Sequence, residues 1–285
     1  MEFLRATSWS DAVSIKAERP AALPIAGGTD VMVEINFDRR RPEAMLDLNP
    51  VADLREWDRD DGHVVIGAGV PYTRLIDELG ADLPGLAMAS RTVGSPQIRN
   101  RGTLGGNLGS ASPAGDTHPV LLALDATVEA SSVRGSRSIA IDDFYLGVKK
   151  SALAPDELIR SVRVPVGTGP CHFAKIGTRN AMVIAVCSFA VALQVSGRGV
   201  RTGIGSAAPT PRRAPEAETF AASELDWSGR APLTDEVARR FGDLAAAAAV
   251  PINDVRGTAA YRRHAVAVLA RRTLAWAWEE YRACA

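Results

Sequence analysis

Thr92 to Ala126 reads TVGSPQIRNRGTLGGNLGSASPAGDTHPVLLALDA, and its centre is Thr103-Leu104-Gly105-Gly106-Asn107. No charged side chain lies between Gly102 and Gly115. Small and hydroxylated residues leave many backbone N–H groups uncovered, which lets a main chain approach a diphosphate closely. A second loop of the same character, Ala26-Gly27-Gly28-Thr29-Asp30, lies upstream. Neither loop contains a lysine, and no GK[ST] follows either, so a phosphate-binding loop of the NTPase type is excluded. Two separated diphosphate-type loops point to a dinucleotide cofactor rather than a hydrolysed triphosphate.

Around these loops the apolar pattern predicts an α+β chain. Ser8 or Ser10 caps a helix to about Glu18. A strand at 23–26 runs into the first loop, Thr29 or Asp30 opens a helix to about Phe37, and a strand follows at 44–48. This order places the first loop at a helix N-terminus, where free N–H groups and the helix dipole favour an anion. A strand at 63–68 precedes a helix from Pro71 to about Leu79. After the second loop, 119–124 reads as a buried helix. Strands are expected at 127–131, 138–141, 158–164, 173–176, 183–195 and 200–206, the last two paired across Ser196-Gly197-Arg198-Gly199. A proline- and arginine-rich boundary at 208–215 leads to a helix capped by Thr234 and to a helix over 258–281. In the last helix Val266, Leu269, Ala270, Thr273, Trp276 and Ala277 are expected on one buried face.

Composition narrows the function. The 285 residues carry 33 basic and 33 acidic side chains, a balance that argues against a nucleic-acid partner. The arginine clusters at 39–41, 212–213, 262–263 and 271–272 are read as solvated surface or partner contacts. No apolar run approaches the roughly 20 residues of a membrane span, and no signal-peptide core opens the chain, so a cytoplasmic location is expected. Cys171, Cys187 and Cys284 form neither a CxxC pair nor a four-thiolate set, and no metal site is expected. Gly67-Ala68-Gly69 lacks the third glycine of a Rossmann fingerprint because position 72 is tyrosine. No GxSxG elbow is present.

The two loops together resemble those of the FAD-binding medium subunit of the molybdenum hydroxylases, the xanthine dehydrogenase and aerobic carbon monoxide dehydrogenase group. The resemblance rests on AGGTD at 26–30, on RNRGTLGGNLGSASPAGD at 99–116, and on KIGTR at 175–179 followed by Ala181-Met182. It extends to GSAAPTPRRAPEAE at 205–218 and DVRGTAAYRRHAVAVLARRTL at 254–274. Val183 stands where many relatives carry aspartate.

The resemblance implies a vanillyl-alcohol-oxidase/PCMH-type FAD-binding domain over 1–174, in two α/β subdomains of about 1–57 and 58–174. A C-terminal domain of antiparallel sheet plus helices would follow over 175–285. The implied cofactor-binding set is Ala26, Gly27, Gly28, Thr29, Asp30, Val93, Thr103, Gly105, Gly106, Asn107, Asp116, Leu158, Ile159 and Lys175. The two glycine loops would hold the diphosphate. Asp116 would accept hydrogen bonds from the ribityl side or a neighbouring main chain. Leu158 and Ile159 would face the isoalloxazine, and Lys175 would approach the same region. No residue is expected to act as a catalytic acid or base. The implied assembly adds a large subunit with the molybdenum cofactor and a small subunit with two [2Fe–2S] clusters, as a heterotrimer, single or doubled. Electrons would pass through FAD to NAD, oxygen or a quinone. The alternative is a stand-alone flavin oxidoreductase of the same fold, acting on a small organic substrate.

Overall fold

The computed structural model describes residues 1–167 and 169–284. The chain begins with β1 (Glu2–Arg5), α1 (Trp9–Glu18), β2 (Leu23–Ile25), α2 (Val31–Asn36) and β3 (Ala44–Asp47). The strands form a parallel sheet in the order β1–β3–β2. Ser8 caps α1, its Oγ accepting the Asp11 N–H at 3.1 Å. Strand β1 has no apolar alternation to announce it, because three of its four residues are exposed at the sheet edge.

A second sheet is antiparallel throughout. It uses β4 (Trp57–Asp60) and β5 (His63–Gly67) from the start of the next segment. Five short helices follow: α3 (Tyr72–Glu78), α4 (Pro84–Arg91), α5 (Pro96–Arg101), α6 (Leu104–Ser110) and α7 (His118–Ala123). Then come β6 (Thr127–Ser132), β7 (Gly135–Ala140), α8 (Ile141–Phe144), a small hairpin of β8 (Tyr145–Gly147) and β9 (Lys150–Ser151), and β10 (Leu158–Pro165). The strand order is β4–β5–β10–β6–β7. Helix α6 forms in a glycine-rich stretch that has poor helix propensity. Leu104 and Leu108, both fully buried, anchor it, and the Thr103 hydroxyl caps it by accepting the Gly106 N–H at 2.9 Å.

The last third contains β11 (Cys171–Ile176), β12 (Cys187–Gln194), β13 (Gly199–Gly205), α9 (Pro215–Glu224), α10 (Asp235–Ala248) and α11 (Ala259–Ala283). The three strands are antiparallel in chain order. Strand β12 reads as a continuous apolar run because both its faces are covered. Ala190 and Ala192 join the core shared with the N-terminal sheets, while Phe189, Val191 and Leu193 join a second core under α9 to α11. The strand expected over 183–195 starts later, at Cys187.

Two expectations need correction. Trp276 is 46% exposed, and Trp278 fills the core instead, its ring edge-on to Trp227 with centroids 5.4 Å apart. Helical phase does not separate them, since Trp276 lies about 80° and Trp278 about 120° from the Val266 direction. Trp278 is buried because Trp227 and Tyr281 pack on it and its indole N–H donates to Ala231 O at 2.8 Å. The arginine pairs are not uniformly solvated. Arg262 is buried, and its guanidinium donates to Val186 O at 2.7 Å and to Asp254 Oδ1 at 2.6 Å. Arg213, from the segment before α9, ties the C-terminal part to the antiparallel sheet region through Asp125 and Asp142.

Candidate functional site

The helical insertion between β5 and β6 faces the loop between β2 and α2 across a cavity of about 770 Å³. Thirteen of the fourteen residues expected to hold a cofactor line this cavity, and Lys175 does not.

The two glycine loops are in direct contact. A Cβ at Gly27 would run into the carbonyl of Arg101, so that position admits no side chain while the loops stay packed. Gly28 has a φ of +73°, which glycine adopts without strain. The Asn49 carboxamide secures the first loop from behind, donating to Ala26 O at 2.9 Å. Asp30 opens α2 without a side-chain cap, and no residue of α2 is buried.

The second loop is fixed to the end of β5 and the start of α3. Tyr72 N–H donates to Gly102 O at 3.1 Å, Leu104 N–H to Val70 O at 3.3 Å and Gly105 N–H to Ala68 O at 3.0 Å. Adjacent glycines here serve different ends. A Cβ on Gly105 would collide with Ala68, whereas one on Gly106 would meet only Thr103 Oγ1, at 3.0 Å. Gly105 is therefore a packing position, and Gly106 is an open position on the cavity.

Asp116 and Lys175 form a buried pair. Lys175 Nζ donates to Asp116 Oδ2 at 2.6 Å and to Thr92 O at 3.1 Å, with the two side chains 7% and 8% exposed. The ammonium thus stands behind the carboxylate rather than on the cavity wall. Burial pushes the Asp116 carboxyl above its ordinary range, and Lys175 and the Thr92 hydroxyl oppose that shift. Asp116 Oδ1 is buried and has no partner. Leu158 and Ile159, where β10 begins, supply an apolar wall.

Several lining residues carry no local signal in the sequence. Tyr72 is buried beside Thr117, its hydroxyl without a hydrogen bond of good geometry among the described residues, and burial raises its phenol well above the usual range. Lys16 lines the cavity from α1, donating to the carbonyls of Pro20 and Ala22 at 2.7 Å each. Burial lowers its pKa. Arg40, Arg55 and Lys149 also line the cavity from outside both loops, and Arg101 lines it from the start of the second, so cations reach it although neither loop contains a lysine. Such side chains come from separate elements, and only the tertiary fold assembles them.

Residues 1–167 match the family described as FAD binding domain in molybdopterin dehydrogenase. Residues 172–277 match the CO dehydrogenase flavoprotein C-terminal domain. The chain belongs to this family of FAD-binding medium subunits. It is similar to the nicotine 6-hydroxylase medium subunit of Paenarthrobacter nicotinovorans, at 34% identity over 88% of this chain and 87% of that one. The carbon monoxide dehydrogenase medium chain of Afipia carboxidovorans is 32% identical, over 96% of this chain and 95% of that one. The solved carbon monoxide dehydrogenase of Hydrogenophaga pseudoflava that lacks the Mo-pyranopterin moiety superimposes with a TM-score of 0.91. It is 29% identical and covers 99% of this chain and 98% of that one.

The cavity fits a dinucleotide. Two glycine loops meet on its wall, Gly106 leaves room for a phosphate, and an apolar wall and a buried carboxylate stand nearby. The N–H groups of 104–107, however, are spent on Val70, Ala68 and Thr103 rather than left open as the sequence suggested.

Proposed function

We propose that this chain holds FAD in that cavity, with the diphosphate between the two glycine loops and the isoalloxazine beside Leu158 and Ile159. The observation that carries the assignment is the contact of the two loops through Gly27 and Arg101 within a single cavity. FAD supplies two-electron storage that links one-electron iron–sulfur carriers to an acceptor. The chain's own residues bind and orient. Residues 26–30 present backbone N–H groups at the start of α2 and carry the main anion contacts. The N–H groups of 104–107 are engaged within the protein, so the second loop contributes the open space at Gly106 and the Asn107 carboxamide. Arg101 and Lys16 add positive charge from the flanks. Asp116, supported by Lys175, offers a buried acceptor to the ribityl side. Lys175 acts through Asp116. No side chain serves as an acid or base.

The chain works beside a large molybdenum-cofactor subunit and a small subunit with two [2Fe–2S] clusters, as a heterotrimer, single or doubled. The relatives are named as medium subunits or chains, which favours this reading over a stand-alone oxidoreductase. Their names span nicotine and carbon monoxide. Substrate choice therefore resides outside this chain, and NAD, oxygen or a quinone accepts the electrons. The location is cytoplasmic. Among the described residues no helix is long and apolar enough to cross a membrane. The FAD domain comprises units of about 1–57 and of 58 to the end of β10, and the C-terminal domain follows, a few residues earlier than the boundary expected at 174. We place the joint just ahead of β11, since the whole of that strand pairs with β12.

The test is recovery of the tagged chain from its host. We expect one FAD per chain, iron–sulfur absorbance and molybdenum in the same assembly. A chain that takes up no FAD on reconstitution overturns the assignment. A chain that carries FAD, works alone and brings down no partner overturns the assembly.

A further inference from the structure

Asn107, the fourth residue of α6, lines the cavity and is half-buried. Two consecutive residues from the start of α7 hold it from behind. Thr117 Oγ1 donates to Asn107 Oδ1 at 2.7 Å. His118 Nε2 lies 3.3 Å from the Asn107 carbonyl. Burial lowers the imidazole pKa to about 4, so the ring is neutral and donates through Nε2. A Cβ at Gly115 would strike this ring, which accounts for the glycine there. Thr117 is fully buried, and its own carbonyl accepts the Leu121 N–H at 3.0 Å. Its hydroxyl therefore has a fixed place from which to act. The Asn107 carboxamide has one acceptor and one donor end. With the oxygen engaged by Thr117, the NH₂ has no protein partner among the described residues and is not sealed from the cavity.

We propose that Thr117 is a positioning residue: its hydroxyl fixes the Asn107 carboxamide so that the NH₂ group faces the cavity and donates to an oxygen of the bound dinucleotide. The inference rests on the FAD assignment above and adds a residue that itself need not touch the ligand. It also explains why the hydroxyl of Thr117 lies in an interior where valine would fill the same volume. The contact joins two helices ten residues apart, so the glycine loop and the start of α7 act together on the ligand.

The test is a titration of FAD into the deflavinated assembly recovered on the full-length tagged chain, followed by quenching of flavin fluorescence. Thr117→Val should weaken FAD binding about tenfold, the scale of one positioned hydrogen bond. Thr117→Ser should restore it. In an Asn107→Ala background, Thr117→Val should add no further loss, because its effect passes through Asn107. Asn107→Asp should bind FAD more weakly than Asn107→Ala, since Thr117 would hold one carboxylate oxygen and aim the other at the ligand. Unchanged affinity in Thr117→Val, or an equal loss in the Asn107→Ala background, overturns the proposal. Should Thr117→Val not fold, Asn107→Asp binding as tightly as Asn107→Ala overturns it. Wild-type protein that takes up no FAD overturns the cavity assignment itself, a separate outcome from these.

Discussion

Lys175 on β11 reaches Asp116 at the edge of the cavity, Nζ to Oδ2 at 2.6 Å, across 59 residues of chain. The pair is nearly out of water, and it joins the C-terminal sheet to the loop that backs the proposed flavin site. Breaking one side of such a pair leaves an uncompensated charge in the interior, which is costlier than the pair itself is favourable.

Lys175→Met should therefore destabilise the folded chain by about 3–5 kcal/mol at neutral pH. The sign with pH follows from Asp116. Its folded pKa is already raised by burial, and removing Lys175 raises it further. The folded state then binds the proton more tightly than the unfolded state, so stability falls as pH rises through that window and returns as pH drops. Melting curves of wild type and variant at neutral and mildly acidic pH check this. A gap between the two that stays constant with pH would contradict it, and Asp116→Asn in the variant should recover part of the loss.

Gly106→Val should leave the fold intact and abolish FAD retention, because the new side chain projects into open cavity space past Thr103. Gly105→Ala should do the reverse in part, costing about 1–3 kcal/mol through overpacking on Ala68. Measuring melting temperature and FAD content side by side separates the two positions. Equal behaviour would refute the division.

Gly27→Ala should force the first loop away from the Arg101 carbonyl. FAD affinity should drop while the β12 core, remote from that contact, keeps its amide-exchange protection. Protection lost throughout the chain would instead mark Gly27 as a general folding position.

Trp278→Ala should cost about 3–5 kcal/mol in urea unfolding, as expected for an aromatic side chain removed from a packed core. Trp276→Ala, at a site 46% exposed, should stay within about 0.5 kcal/mol. Comparable losses would mean that Trp276 is buried by contact with another chain.

The glycine loops are legible in the sequence because their signal is local. A run of small residues without charge states what the backbone can approach, wherever the run sits. Capping residues such as Ser8 and Thr234 are legible for the same reason, each satisfying an N–H three residues away. Helices α4 to α6 are not. The glycines of α4 and α6 argue against helix, and packing of Leu86, Leu104 and Leu108 overrides that propensity. Helix α5 instead buries no residue and is set by the Ser95 cap with Pro96 at its first position.

By itself, then, the sequence determined most of the strands and the capped helices around two diphosphate-type loops, the charge balance, and the membership implied by those loops, but not β1, β4 or α4 to α6. Tertiary structure alone decided that the loops touch through Gly27, that Lys16 and Tyr72 join the cavity wall, and that Lys175 stands behind Asp116 instead of on the wall. The physical reason is range. Backbone exposure and capping are set within a few residues, whereas burial and ion pairing depend on which distant segments exclude water from one another.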